Sequence, residues 1–141
     1  MFIYPLGEPN ALQVEEEGYG YVVASVGELG GVVPYTSYSA RNSLINNDSE
    51  LIANFTKAIQ KGLDFVNNSS DLEVAKVILN QFPDTSLNDL EKVIKRYREI
   101  DAWPKTTKFN EDSFNHLQDI MISSGVLDEK VDYSKLIYNG K

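Results

Sequence analysis

Apolar and polar positions follow two rhythms along the chain. Before Arg41 the apolar residues come in short β-branched and aromatic runs cut by glycine, and after it they recur every three to four residues between polar turns. Phe2 to Leu6 is a short apolar stretch that predicts a strand, broken by Gly7. Glu8-Pro9 then predicts a helix start, because the N–H that proline lacks has no partner in a first turn. Ala11, Leu12 and Val14 with Glu15 to Glu17 suit that helix, and Gly18 to Gly20 end it. Tyr21 to Val26 is β-branched and aromatic enough to predict a second strand, followed by a flexible connection over Gly27 to Gly31. Val32 to Ala40 reads as another extended stretch, with Pro34 suited to a strand start or edge because it cannot donate to a ladder.

Four helices are predicted beyond Arg41. Asp48 or Ser49 caps one that carries Leu51, Ile52, Phe55, Ile59, Leu63 and Val66 on one face. Ser70 with Glu73 forms a capping box for the next, with Leu72, Ala75, Leu79 and Phe82 inward and Pro83 at its end. Ser86 with Asp89 starts a third, in which Leu87, Leu90, Ile94 and Tyr97 make a stripe that Ile100 and Trp103 continue until Pro104. Phe114, Leu117, Ile120 and Met121 mark the fourth, Gly125 is its C-terminal cap, and Val131 to Ile137 is a final docked segment.

Composition narrows the function classes. At 141 residues the chain has the length of one ordinary domain, able to bury a core without metal or disulfide staples. A formal net charge of -8 repels phosphate backbones, so no nucleic-acid partner is expected. Zero cysteines exclude thiolate catalysis and Cys-ligated metal, and the single histidine, His116, rules out a two-histidine metal site. No metal, cofactor or catalytic residue is therefore expected. No apolar run reaches the roughly 20 residues of a membrane helix, and no signal-peptide pattern opens the chain. Met1 to Tyr4 resembles the inside of a strand, and the chain is expected to be a piece of something longer.

Six of the nine glycines and five of the eight tyrosines fall in the first 38 residues, which points to the loops there as the site. The carboxylate of Glu8 can accept donors from a ligand bearing amino groups, and Tyr4 and Tyr35 offer π-faces and hydroxyls. The alternative for Glu8 is a turn in which an acidic residue is favoured by the helix dipole. Glu15 to Glu17 read as a solvated helix end, and Lys92, Lys95, Arg96 and Arg98 as the wet face of an amphipathic helix. His116 reads as an ordinary helix residue, and Trp103 as an apolar lid on a helical core.

The order of these features, an apolar strand, Gly-Glu-Pro, a helix ending in Glu-Glu-Gly-Tyr-Gly, then Tyr-Val-Val-Ala-Ser and Gly-Gly-Val-Val-Pro-Tyr-Thr-Ser-Tyr, resembles a known family. It is similar to the solute-binding proteins of ABC importers in the nitrate, sulfonate, taurine and thiamine-precursor group, with its thiamine pyrimidine synthase branch. The likeness extends through Ser49 to Ile59, Gln81 to Thr85, Ile100 to Trp103 and Phe114 to Met121. It implies an α/β, mostly helical fold, the C-terminal part of a type II periplasmic-binding-protein-like two-lobed clamp. By that comparison 1–34 is the end of the second lobe with the hinge crossover, and 35–141 the mainly helical part of the first lobe.

The resemblance implies a partial solute-binding component that binds a small organic solute, such as a thiamine pyrimidine precursor or a sulfonate, without catalysis. Glu8, Pro34, Tyr35 and Thr36 are the ligand-facing positions it picks out, with Tyr4 beside them. The full-length protein would then serve an ABC permease outside the cytoplasm, in a periplasm or lipid-anchored at the cell surface. Two other classes stay open, a pyrimidine synthase relative and a helical interaction module without a ligand. Strands lacking sheet neighbours predict self-association, a homo-oligomer formed by strand exchange.

Overall fold

The computed structural model describes residues 3–138, and among them there are helices and loops but no strand. In chain order the helices are α1 (Asn10–Glu16), α2 (Val26–Gly30), α3 (Asn42–Asn47), α4 (Ser49–Asn68), α5 (Asp71–Ile78), α6 (Leu87–Glu99), α7 (Glu111–Ser123) and α8 (Tyr133–Leu136), with a 3-10 turn at Leu79–Gln81. The chain divides into two compact units, Met1–Leu29 with Leu63–Lys105, and Gly30–Gly62 with Thr106–Lys141, two of the boundaries falling within α2 and α4.

The expected α/β architecture, part of a two-lobed clamp, is overturned by this all-helical course. A strand is made by its neighbour: β-branched residues gain their preference by packing across a ladder, and an unpaired extended segment gains nothing over water. Tyr21, Val22 and Val23 find no such neighbour among the described residues, and Tyr21 is 85% exposed. The Val22 N–H goes instead to the Glu15 carboxylate at 2.8 Å. Residues 3–6 are likewise a loop, and Phe2, where that predicted strand begins, lies outside the described residues. Val32 to Ala40 is irregular as well. The connection expected over 27–31 is largely helical, because Ser25 Oγ accepts the Glu28 N–H at 3.2 Å and so caps α2.

The predicted helices form where their caps do. Ser70 Oγ accepts the Glu73 N–H at 3.3 Å while Glu73 Oε2 accepts the Ser70 N–H at 2.9 Å, a complete capping box on α5. Ser86 caps α6, Asn110 caps α7 at 2.8 Å, and Asp48 Oδ1 takes the Leu51 N–H at 3.0 Å at the start of α4. Helix α3 carries no capping signal in the sequence, and its N-cap residue, Arg41, makes no side-chain capping bond.

In the first unit α5 lies on α6 and the two share the core. Val74, Ala75, Leu90 and Ile94 are buried, with Val66, Ile78, Leu79, Leu87 and Trp103 packed around them. Each fully buried aliphatic side chain contributes about 1.5–3 kcal/mol relative to exposure, so Leu90 and Ile94, each 1% exposed, anchor α6. The inward face of α5 is set by Val74 and Ala75; Phe82, expected inward, is past the helix end and exposed. In the second unit an aromatic row does this work: Phe109, buried Phe114 and Tyr133 stand edge-on, with ring centroids 6.0 and 5.9 Å apart. Buried Gln118 spans the Val131 backbone, accepting its N–H at 2.7 Å and donating to its carbonyl at 3.2 Å.

Three helices end in the same reversed turn, in which the second residue past the cap reaches back five residues and the first reaches back three. Tyr19 and Gly18 bond to Val14 and Glu15, Val126 and Gly125 to Met121 and Ile122, and Ala102 and Asp101 to Tyr97 and Arg98. The pivot residue must be left-handed, which Gly18 and Gly125 adopt without strain. At the end of α6 the pivot is Asp101, at φ 51°. Because that conformation costs an L-residue roughly 1–2 kcal/mol and least for Asp or Asn, Asp101→Val is expected to destabilise the chain by about 1 kcal/mol. Asp101→Gly is expected to be neutral or stabilising. Urea denaturation of the two variants checks this, and equal effects would contradict the assignment.

Candidate functional site

Glu8 stands in the turn just before α1, a helix held against α6 by charge. Glu8 Oε1 accepts from Arg96 Nη1 at 2.8 Å, and Oε2 accepts the Leu12 N–H at 3.0 Å, leaving the side chain 12% exposed. The Arg96 Nη2 donates to Glu15, whose other oxygen takes the Val22 N–H. One helical turn away on α6, Lys92 pairs with Glu16 and with Asp89. Three carboxylates from the start of the chain therefore meet two cations spaced four residues apart on α6, beside buried Ala11 and Leu12.

Physical causes of the local electrostatics are visible in the bonds. The Val22 N–H, and then the Arg96 guanidinium, hold the Glu15 carboxyl below its ordinary range. Glu16, and then Asp89, raise the Lys92 ammonium, and Glu8 followed by Glu15 raises the Arg96 guanidinium. Asp89 is lowered first by the Ser86 hydroxyl. The acid oxygens of Glu8 are both engaged, one by the helix start and one by Arg96.

Tyr4 belongs to the same unit and is largely exposed. Pro34, Tyr35 and Thr36 belong to the second unit, where Tyr35 is 98% exposed. Thr36 lines a concavity of about 230 Å³ with Ser37 and Tyr38, and the Tyr38 ring stands edge-on to Phe55 at 5.0 Å. A wider hollow of about 560 Å³ in this unit is lined by Lys108, Asn110, Glu111, Asp112 and Tyr133. His116 is exposed on α7 with its Nε2 2.9 Å from the Gly30 carbonyl. Trp103 packs on the first unit's core, tilted against Tyr97 at 5.8 Å, with the Arg98 guanidinium 5.9 Å from its ring centre.

Sequence reasoning missed Arg96, Glu15 and Gln118. Lys92 and Arg96 looked like a solvated stripe, and their four-residue spacing opposite an acidic helix end was the available signal. Nothing in the sequence says which acids they meet. Gln118 is 3% exposed in a stripe that otherwise reads as apolar, and its partner, the Val131 backbone, carries no side-chain signature.

Comparison with known proteins gives one informative likeness. The chain is 36% identical over 132 residues to a protein of Bacillus subtilis (strain 168) named Putative binding protein YtlA. The alignment takes in 94% of this chain and 40% of that protein, so the chain spans about two fifths of the length of the relative it matches. No family model matches the chain, and no solved structure matches it. A binding role is what the likeness supports.

The Glu15 bonds generate a pH prediction. A carboxyl lowered in the folded chain binds fewer protons there than in the unfolded chain, so its stabilisation is complete above the ordinary value of 4.5 and fades as pH falls below it. Denaturation midpoints are therefore expected to drop on acidification below pH 4.5, and Glu15→Gln to flatten that part of the profile. An unchanged acid limb in the variant would contradict the assignment.

Proposed function

We propose that the chain is part of the solute-binding component of an ABC importer, binding a small polar organic solute and passing it to a permease without chemistry of its own. The observation that carries this reading is the 36% identity to a binding protein along 94% of the chain. The Gly7-Glu8-Pro9 turn and the Gly30 to Tyr38 segment support the finer assignment by their likeness to importers for thiamine pyrimidine precursors, sulfonates and related solutes. In the first unit Glu8 and Tyr4 are the residues proposed to contact solute, and in the second, taken by itself, Pro34, Tyr35 and Thr36 are the positions proposed. The full-length protein is proposed to act outside the cytoplasm, in a periplasm or anchored by lipid at the cell surface. One histidine and no cysteine favour a binder over an iron- and histidine-dependent pyrimidine synthase relative.

Calorimetric titration tests the reading. A longer protein that carries this chain, prepared to the length of the Bacillus subtilis relative, is titrated with aminopyrimidines, taurine, other sulfonates and nitrate. Saturable binding of one class is expected, and Glu8→Gln is expected to weaken it about 10- to 100-fold if an amino group donates to that carboxylate. Indifference to the whole panel would sink the reading.

Self-association is a second reading, favoured by the exposed side chains of Tyr21, Val23, Val26 and Leu29 in the first unit. A run of apolar side chains left in water seeks cover. With no strand among the described residues, the proposed contact is between side chains of two copies and not an exchange of strands. Light scattering at micromolar concentration is expected to show a species heavier than 15.8 kDa, reduced by Val23→Lys. A strictly monomeric chain would end this reading.

A further inference from the structure

The carboxylate proposed to receive a solute is already occupied by the chain itself. Arg96 reaches Glu8 Oε1 with one terminal nitrogen at 2.8 Å and Glu15 with the other. A guanidinium is a planar cation with N–H donors in a fixed fork, and amidinium or protonated aminopyrimidine groups present the same kind of array. The two would compete for the same oxygen. We propose that Arg96 is an autoinhibitory latch on Glu8, which a solute with an amidinium-type cation displaces; this rests on the reading of Glu8 as a ligand contact.

The geometry makes the exchange cheap on both sides. When Arg96 leaves Glu8 it keeps Glu15, so its charge is not stranded. Glu8 keeps the Leu12 N–H on Oε2 and stays oriented at the start of α1. Helix α1 keeps its seat on α6 through Glu16 and Lys92 and through buried Ala11 and Leu12. The Arg96 side chain is 34% exposed, enough for water to carry the swap. Apparent affinity is then the intrinsic affinity reduced by the fraction of molecules in which the latch is open.

Benzamidinium is the probe, titrated calorimetrically into the wild-type chain and variants whose helical signal is checked by circular dichroism. Arg96→Gln is expected to bind about tenfold more tightly than wild type, and adding Glu8→Gln is expected to abolish the gain. Lys92→Gln removes the same charge one turn away and is expected to gain much less. Glu15→Gln, which leaves a displaced Arg96 without a charged partner, is expected to weaken binding more than Glu16→Gln does. If Arg96→Gln loses its helical signal, Arg96→Lys carries the test, because one ammonium cannot serve both carboxylates as the fork does, and a smaller gain is expected. No gain in the folded variant, or an equal gain in Lys92→Gln, overturns the latch. The solute panel is read separately on the wild-type longer protein. A panel that binds while Arg96→Gln gains nothing removes the latch alone, and a panel that fails while Arg96→Gln gains removes the solute reading.

Discussion

Leu90 and Ile94 on one face of α6, closed over by Val74 and Ala75 of α5, set the position of nearly everything described in the first unit. Residues four apart fall on one side of a helix, so once that pair is buried, Lys92 and Arg96 must project from another side, where α1 lies. Arg98 comes round to α5, donating to Asp71 at 2.7 Å and to the Ser69 carbonyl at 3.1 Å. A single apolar contact thus aims three cations. The ion pairs refine the arrangement but could not create it, since partly exposed pairs contribute only about 0–1 kcal/mol each.

The helical half of the chain was legible because its signals are local. Ser70 with Glu73, Ser86 with Asp89, and Gly125 each act within one turn, and each does what its spacing predicts. The front of the chain was not legible for the opposite reason. Tyr21 to Val23 has the composition of a strand, but strand formation is settled by a partner that residue types cannot supply. Ser25 and Glu28 carry a three-residue capping spacing, but Gly27 and Gly30 make a poor helix on propensity alone and hide it.

Of the candidate site, the sequence offers residue types, and what each side chain engages is decided by the fold. The Glu8 carboxylate suits a donor-bearing ligand, and its Leu12 bond matches the alternative of an acid at a helix start. Its Arg96 bond spans 88 positions, a separation over which charge patterning names no pairs. Pro34, Tyr35 and Thr36, expected in an extended stretch, lie in an irregular segment with Tyr35 turned to solvent. The likeness to a protein named as a binding protein adds no geometry to these positions.

Trp103 is the chain's single tryptophan, and it lies on the first unit's core beside Tyr97 and Arg98. Indole emission from this protein is therefore a report from one unit only. Excitation absorbed by Tyr97, 5.8 Å away, can pass to the indole, and detachment of α6 from α5 would redden and redistribute that light. The Phe109, Phe114 and Tyr133 row of the other unit contains no indole, so its melting is spectroscopically quiet at that wavelength. A single optical probe would describe half of the molecule's unfolding as though it were the whole.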